Sequence, residues 1–142
     1  MKKFNVVLTM CLIVVMALCL VACHPTNPVQ QEDTAVYITA DGKLMAEMNG
    51  TTVKDYLDVL VKKGYLTYEL NGTFLTTMNG LTPDSTKSEY WFIYSNDDEN
   101  TNGEWGTYEH DGVTYKSTTL GICDLPVKEG VTYLFMVSTY SM

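Results

Sequence analysis

The stretch that decides the fold is TVKDYLDVLVKKG, residues 52–64. Its apolar residues recur every three or four positions, which places them on one stripe of a helix. They are Val53, Tyr56, Leu57, Leu60 and Val61. Thr52 can cap the start of this helix together with Asp55, and Gly64 suits its end. We therefore predict a helix over residues 52–63.

The chain after this helix changes to the alternating pattern of strands. Residues 65–70 and 73–78 are separated by Asn71-Gly72, a pair typical of a tight hairpin turn. The aromatic run YWFIY, residues 90–94, is predicted to be a central strand. A final strand is predicted at 131–140.

Shorter elements flank these. Residues 35–39 are predicted to be a strand, Asp41-Gly42 a turn and 43–48 a weaker strand, and a second hairpin is expected around Asp111-Gly112. One early helix among many strands predicts an α+β fold, with the helix packed on one face of a mostly antiparallel sheet.

The first 23 residues have the layout of a secretory signal peptide. Lys2 and Lys3 precede an apolar run over 4–20, and the run ends in Leu-Val-Ala-Cys at 20–23. This ending resembles the lipobox of bacterial lipoproteins, which implies a signal peptide at 1–22, a lipid on Cys23 and an extracytoplasmic protein anchored to the cell membrane. The alternatives are a plain secretory peptide and an uncleaved anchor, although the clean apolar stretch of about 13 residues is short for a span.

The remaining chain divides into a tether and one domain. Residues 23–34 are predicted to be a lipidated N-terminus and flexible tether, because they are polar, contain prolines and lack an apolar pattern. Residues 35–142 are predicted to form the domain. The chain has a net charge of −8, and loss of the signal peptide removes two lysines and no acid. This acidity, without any Arg, argues against nucleic acid and against a polybasic contact with lipid headgroups.

The order of elements between residues 50 and 140 resembles the transcobalamin-like C-terminal domain (DUF4430) family. The resemblance is carried by the helix 52–63, the turn 71–72, the segment FLTTMNG at 74–80, the strand 90–94 and the turn 125–130. It implies a β-grasp-like fold of the kind found in bacterial surface lipoproteins. In the vitamin B12 carriers, a related domain forms one wall of the corrinoid pocket. The present sequence differs from the carriers because it offers no α-helical barrel for the other wall.

The resemblance and the aromatic strand together predict a non-catalytic binding module without a cofactor. We expect a small ligand, with corrinoids among the candidates, to bind near the aromatic strand and to be handed on for uptake. The candidate ligand-binding residues are Asn79, Gly80, Tyr90, Trp91, Tyr94 and Trp105. The alternative is a protein-interaction or adhesion module on the cell surface that uses an exposed sheet edge or aromatic patch. For the aromatic run taken by itself, the favoured interpretation is that both of its faces belong to the core, and exposure of one face at a binding surface is the alternative.

One stretch fits the pattern of a calcium-binding loop. Residues 98–109 match the EF-hand spacing D-x-[DN]-x-[DN]-G-x5-E, and the candidate ligands are Asp98, Asn100, Asn102 and Glu109. An EF-hand needs a helix on each side, whereas strands are predicted here. A solvated acidic loop is therefore the favoured interpretation, and no metal site is predicted.

Catalytic patterns are sparse in this sequence. The predicted domain holds one cysteine, Cys123, and one histidine, His110, so an enzyme would need these two to meet in a cleft. No metal-spaced cluster, phosphate loop or nucleophile elbow is present in the sequence. We therefore expect that the protein is not an enzyme.

Overall fold

The computed structural model describes residues 27–140. The predicted signal peptide, the predicted lipid site at Cys23 and the first part of the predicted tether lie outside the described residues. In the described part of the chain, no helix has both the length and the apolar character needed to cross a membrane.

Residues 27–140 form eight strands and two α-helices. The strands are β1 (Val29–Glu32), β2 (Ala35–Thr39), β3 (Tyr68–Asn71), β4 (Phe74–Met78), β5 (Glu89–Ser95), β6 (Thr107–His110), β7 (Val113–Ser117) and β8 (Thr132–Thr139). The helices are α1 (Gly42–Met45) and α2 (Val53–Lys62), and a short 3-10 turn covers Ser85–Lys87. Six strands form one sheet in the order β1-β2-β8-β5-β7-β6, in which every neighbouring pair is antiparallel. The hairpin β3-β4 stands apart from it. The predicted α+β class and the mostly antiparallel sheet are confirmed.

Helix α2 begins and ends where the sequence signals lie. The Thr52 hydroxyl accepts a hydrogen bond from the Asp55 amide, and the Asp55 carboxylate accepts one from the Thr52 amide at 2.9 Å, which is a capping box. At the other end, the amide of Tyr65 donates to the carbonyl of Leu60 across Gly64, whose φ of +77° suits glycine. The predicted helix and both of its caps are confirmed.

The main core lies between one face of the sheet and a cover made of α2 and the β3-β4 hairpin. Helix α2 contributes a stripe of buried side chains: Val53, Tyr56, Leu57, Val59 and Leu60. The sheet contributes alternate residues of β2, β8 and β5, including Val36, Ile38, Tyr133 and Phe135. Because side chains alternate along a strand, the residues between these belong to the other face.

That other face is closed partly by the curl of the sheet itself. Tyr37, Tyr94, Tyr115 and Leu134 form a second buried cluster there. β1 and β6 are the two edge strands, yet their residues come close together: His110 Nε2 on β6 lies 3.7 Å from the Glu32 carboxylate on β1. The His110 ring also lies 4.6 Å from the ring of Tyr37. The sheet therefore curls until its edges nearly meet.

The strand predictions hold where turns and alternation were clear. The hairpin across Asn71-Gly72, the strand over 90–94 and the last strand are all present, and β5 lies between β8 and β7 inside the sheet. The hairpin at Asp111-Gly112 is also confirmed, with positive φ at both turn residues.

Two predictions are wrong. The segment 43–48 is not a strand: its start forms α1, because the Asp41 carboxylate accepts hydrogen bonds from the amides of Lys43 and Leu44 and caps a helical turn. The predicted flexible tether 23–34 is also wrong over Val29–Glu32, which forms β1 along the edge of β2. Val29 is buried in the main core, and this long-range contact has no local signature in a polar segment.

Candidate functional site

A groove along strand β5 is the candidate functional site. Its volume is about 1090 Å³, and we call it the β5 groove. It is bordered by β5, by β4, by residues 118–122 after β7, by Trp105 and by Tyr140. These segments are distant in sequence, so only the fold brings them together.

The β5 groove collects most of the large apolar side chains that the described residues leave exposed. Seven such side chains are more than a third exposed, and five of them line this groove. The five are Phe74, Tyr90, Trp105, Leu120 and Tyr140; the two elsewhere are Val61 and Val113. Exposed apolar side chains scattered singly are normal, but a contiguous group is a mark of binding surfaces.

The β5 groove runs along the edge of the strand and not over one of its faces. Five consecutive residues, Glu89 to Ile93, line it. A groove on one face would be lined by every second residue only, because side chains of a strand alternate between faces. β7 leaves this edge open, since it pairs with β5 only at Tyr94 and Ser95.

Three contacts hold Trp105 at the mouth of the groove. Its amide donates to the hydroxyl of Ser117 at 3.0 Å, and Ser117 is buried. Its carbonyl accepts a hydrogen bond from the Tyr94 hydroxyl at 3.4 Å. Its ring lies 5.6 Å from the ring of Tyr140. Trp105 is 51% exposed, so its backbone is held in place while much of the residue remains free to contact a ligand.

The structure brings some of the predicted ligand-binding residues together. Tyr90, Trp91 and Trp105 all line the β5 groove. Tyr94 does not: it is 4% exposed in the second cluster, and burial raises the pKa of its hydroxyl. Its part in the site is therefore to position Trp105 through their hydrogen bond.

Asn79 and Gly80 lie outside the β5 groove and form a turn with positive φ at both residues. The Asn79 carboxamide accepts from the amide of Thr67 and donates to the side chain of Gln31 on β1, at 2.9 and 2.8 Å. Their role is structural, because they tie the β3-β4 hairpin to the edge of the sheet. The β5 groove therefore does not include these two candidate residues.

Sequence reasoning missed three of the exposed groove residues. Phe74 lies on β4, Leu120 follows β7, and Tyr140 follows β8. Phe74 does carry a signal, since it follows the Asn71-Gly72 turn at a hairpin tip where an apolar side chain has little to pack against. Leu120 and Tyr140 have none, because they join the groove through sheet topology alone.

Three of the four candidate calcium ligands are engaged with other residues. Asp98 pairs with Lys116 at 2.7 Å, the Asn102 carbonyl oxygen accepts from the amide of Glu104, and Glu109 accepts from Thr114 within the β6-β7 hairpin. Between residues 27 and 140 no group of three His, Cys, Asp or Glu side chains is arranged to hold a metal ion. The acidic loop is instead tied to the turn before β8, where Lys128 contacts Asp97 at 2.8 Å and Glu99 at 2.7 Å.

Cys123 and His110 lie in different surroundings. Cys123 packs against the main core, whereas His110 stacks on Tyr37 of the second cluster, on the opposite face of the sheet. The arrangement thus offers no nucleophile with an adjacent base at these two residues.

Comparisons with known proteins add no assignment. No protein-family model matches the chain, and neither the curated proteins nor the solved structures include a significant match.

Proposed function

We propose that this protein is a non-catalytic binding module, anchored outside the cytoplasm by a lipid on Cys23, whose ligand occupies the β5 groove. The observation that carries the proposal is the concentration of exposed apolar side chains: five of seven in the described part of the chain line one groove. Leaving these side chains in water costs free energy that a bound ligand would recover.

The chemistry of the groove favours binding over catalysis. Among the residues that line it, Glu89 is the one charged side chain, and the others are aromatic, aliphatic, small polar or amide residues. Such a surface contributes contact area and a few oriented polar groups, which is the composition of recognition sites. Because the groove is open along one side, it can hold a ligand that is wider than the groove is deep, such as a planar macrocycle or a polypeptide segment.

The first test compares how strongly variants of the protein bind a ligand, and it can be run with any ligand that binds the wild type. Residues 24–142 contain every described element and both buried clusters. This segment is purified and titrated by calorimetry with cobalamin and with cobinamide, and it is panned against a phage library of linear dodecamers. Every binder is then tested on the variants Trp105→Ala and Phe74→Ser.

The matched control is Val113→Ser, since Val113 is as exposed as Leu120 and Tyr140 of the groove but lies outside it. We expect the groove variants to weaken binding about tenfold or more, as truncation of an aromatic contact does, and Val113→Ser to leave it unchanged. Absence of any binder at tens of micromolar, or equal effects of groove and control variants, would contradict the proposal.

The anchor is tested separately. When the full chain is expressed in a bacterial host fed an alkyne analogue of palmitate, we expect label on the wild type and none on Cys23→Ala. A labelled Cys23→Ala chain, or an unlabelled wild type in the membrane fraction, would count against lipidation at this residue.

A further inference from the structure

We infer that the ligand of the β5 groove is an extended segment of another polypeptide, which adds to the open edge of β5 as an antiparallel strand centred on Trp91. This inference rests on the proposed function and names its class of ligand. It starts from the backbone of β5, whereas the proposed function rests on the side chains.

The hydrogen-bond register shows which backbone groups face the groove. In an antiparallel pair, the amide and carbonyl of one residue point to the same side, and the next residue points to the other. The carbonyl of Ser88 accepts from the amide of Tyr140 on the β8 side, at 2.8 Å. Tyr90 and Phe92 share that side with Ser88. Glu89, Trp91 and Ile93 therefore direct their amides and carbonyls away from β8, towards the groove.

The other neighbour, β7, does not reach these groups. The last contact on that side is made by the amide of Thr118, which donates to the carbonyl of Ile93 at 2.9 Å. The chain then turns away, because the next amide, that of Thr119, donates to the carbonyl of Asn100. Within residues 27–140, the carbonyl of Glu89, both groups of Trp91 and the amide of Ile93 have no backbone partner.

These four groups match one further strand. A residue opposite Trp91 would exchange two hydrogen bonds with it, and its second neighbours would pair with the Glu89 carbonyl and the Ile93 amide. The open stretch runs from the Glu89 carbonyl to the Ile93 amide, four residue steps or about 14 Å at ~3.4 Å per residue. It is bounded at one end by the carbonyl of Asp84, which accepts from the Glu89 amide, and at the other by the amide of Thr118. Side chains of the added strand would point alternately to the Phe74 side and to the Trp105 side of the groove, where apolar surface is exposed.

An unpaired strand edge inside a sheet favours a polypeptide ligand over a small molecule. Main-chain hydrogen bonds provide the affinity in strand addition and the flanking pockets provide the selectivity. Charge complements this picture: the chain has 17 acidic residues against nine lysines, and Glu89 lies in the groove itself. The expected segment alternates apolar residues and carries Lys or Arg instead of Asp or Glu.

The first experiment measures amide hydrogen exchange of residues 24–142 by NMR, alone and with a dodecamer selected from the phage library. In the free protein we expect fast exchange at Trp91 and Ile93 and slow exchange at Phe92, an internal control that bonds to β8. With the peptide bound, exchange at Trp91 and Ile93 should slow by about tenfold or more, while that of Phe92 stays the same. Unchanged exchange at Trp91 in the presence of a bound peptide would overturn the inference.

The second experiment methylates each amide nitrogen of the peptide in turn. Positions that face β5 should lose about fivefold or more in affinity, since each loses one hydrogen bond, and the positions between them should change little. The inference would be overturned if the losses of affinity did not alternate along the peptide backbone. It would also be overturned if no linear peptide could be selected.

The results separate this inference from the proposed function. If cobinamide binds and Trp105→Ala abolishes its binding while no peptide binds, the groove is a ligand site but not a strand acceptor. If the free protein sediments as a dimer in which the Trp91 amide is already protected, the edge is taken by a second copy, and the inference fails.

Discussion

The core under α2 and the β5 groove are built from the same kinds of side chain, but only the core is closed. In the core, the helix and the β3-β4 hairpin lie directly on the sheet and exclude water from the rings of Tyr56 and Phe135. At the groove, the chain that follows β7 turns away after Thr118 and leaves rings exposed. The difference teaches that closure is decided by where the covering segment goes and not by how apolar the strand is.

The sharpest test of this comparison substitutes the same residue type in both regions. Phe135 is 0% exposed in the core, and Phe74 is 78% exposed at the groove. We expect Phe135→Ala to lower the free energy of unfolding by about 3–5 kcal/mol, because it leaves a cavity. Phe74→Ala should change it by less than about 0.5 kcal/mol. Urea denaturation of both variants measures this, and equal effects would show that the groove is part of the folding core.

A smaller effect is expected when only a polar atom is removed from each region. The Tyr56 hydroxyl accepts from the amide of Asp41 at 2.9 Å and donates to the carbonyl of Thr39 at 3.2 Å. Tyr56→Phe leaves both partners without this hydrogen bond and should cost about 1–3 kcal/mol of unfolding free energy. The counterpart at the groove, Tyr90→Phe, keeps its ring and loses a hydroxyl with no described partner, so stability should stay the same. If Tyr56→Phe left the free energy of unfolding unchanged, water would be taking the place of the hydroxyl.

The cap of α2 tests whether closure of the core depends on the helix. Thr52→Ala removes the side-chain acceptor of the capping box and should cost about 1 kcal/mol. Gly50→Ala disturbs the same cap from a residue outside it, because a Cβ at residue 50 would clash with the Asp55 carboxylate. Thermal unfolding should show a lower midpoint for both variants, with groove binding retained. Loss of binding in step with stability would contradict a groove that is independent of the helix.

The smallest effect concerns the loop that carries Trp105. Burial alone would raise the pKa of Asp97, but hydrogen bonds from Lys128 and from the Glu99 amide outweigh it, so the pKa lies below its ordinary value of 3.8. A lowered pKa in the folded state contributes stability above the ordinary value, and this contribution is lost as the pH falls through the folded-state pKa. We expect Asp97→Asn to be less stable than wild type at pH 7.

The difference between Asp97→Asn and wild type should then shrink as the pH falls below 3.8 and through the lower folded-state pKa of Asp97, because both side chains become neutral there. Urea denaturation between pH 7 and pH 2.5 checks this. A difference that persists at the acid end would assign the effect to packing and not to charge.

The sequence predicted the elements whose determinants are local. The α2 helix, its Thr52–Asp55 cap and the Asn71-Gly72 hairpin follow from spacing and turn chemistry within a dozen residues. α1 was missed because one carboxylate, that of Asp41, outweighs the strand pattern that follows it. β1 was missed because its pairing with β2 compensates for a polar composition.

Only part of the groove could be predicted, because only some of its residues are marked by a local pattern in the sequence. Tyr90 and Trp91 stand next to each other in an aromatic run, and their exposure to a ligand was one of the alternatives. Leu120 and Tyr140 reach the groove through strand order, and the open edge exists because β7 ends early. Strand order and strand ends depend on contacts across the whole chain, which no local pattern records.

With a lipid on Cys23, strand β1 would also limit how far the folded residues can lie from the membrane. The chain from Cys23 to Val29 is six Cα-to-Cα steps long, so these two residues lie at most about 22 Å apart. With Cys23 acylated, the edge of the sheet would stay within about that distance of the lipid headgroups. The search for a partner would then be two-dimensional, confined to a thin layer at the membrane surface. Proteins held in the same layer would meet the groove at a much higher local concentration than proteins free in solution.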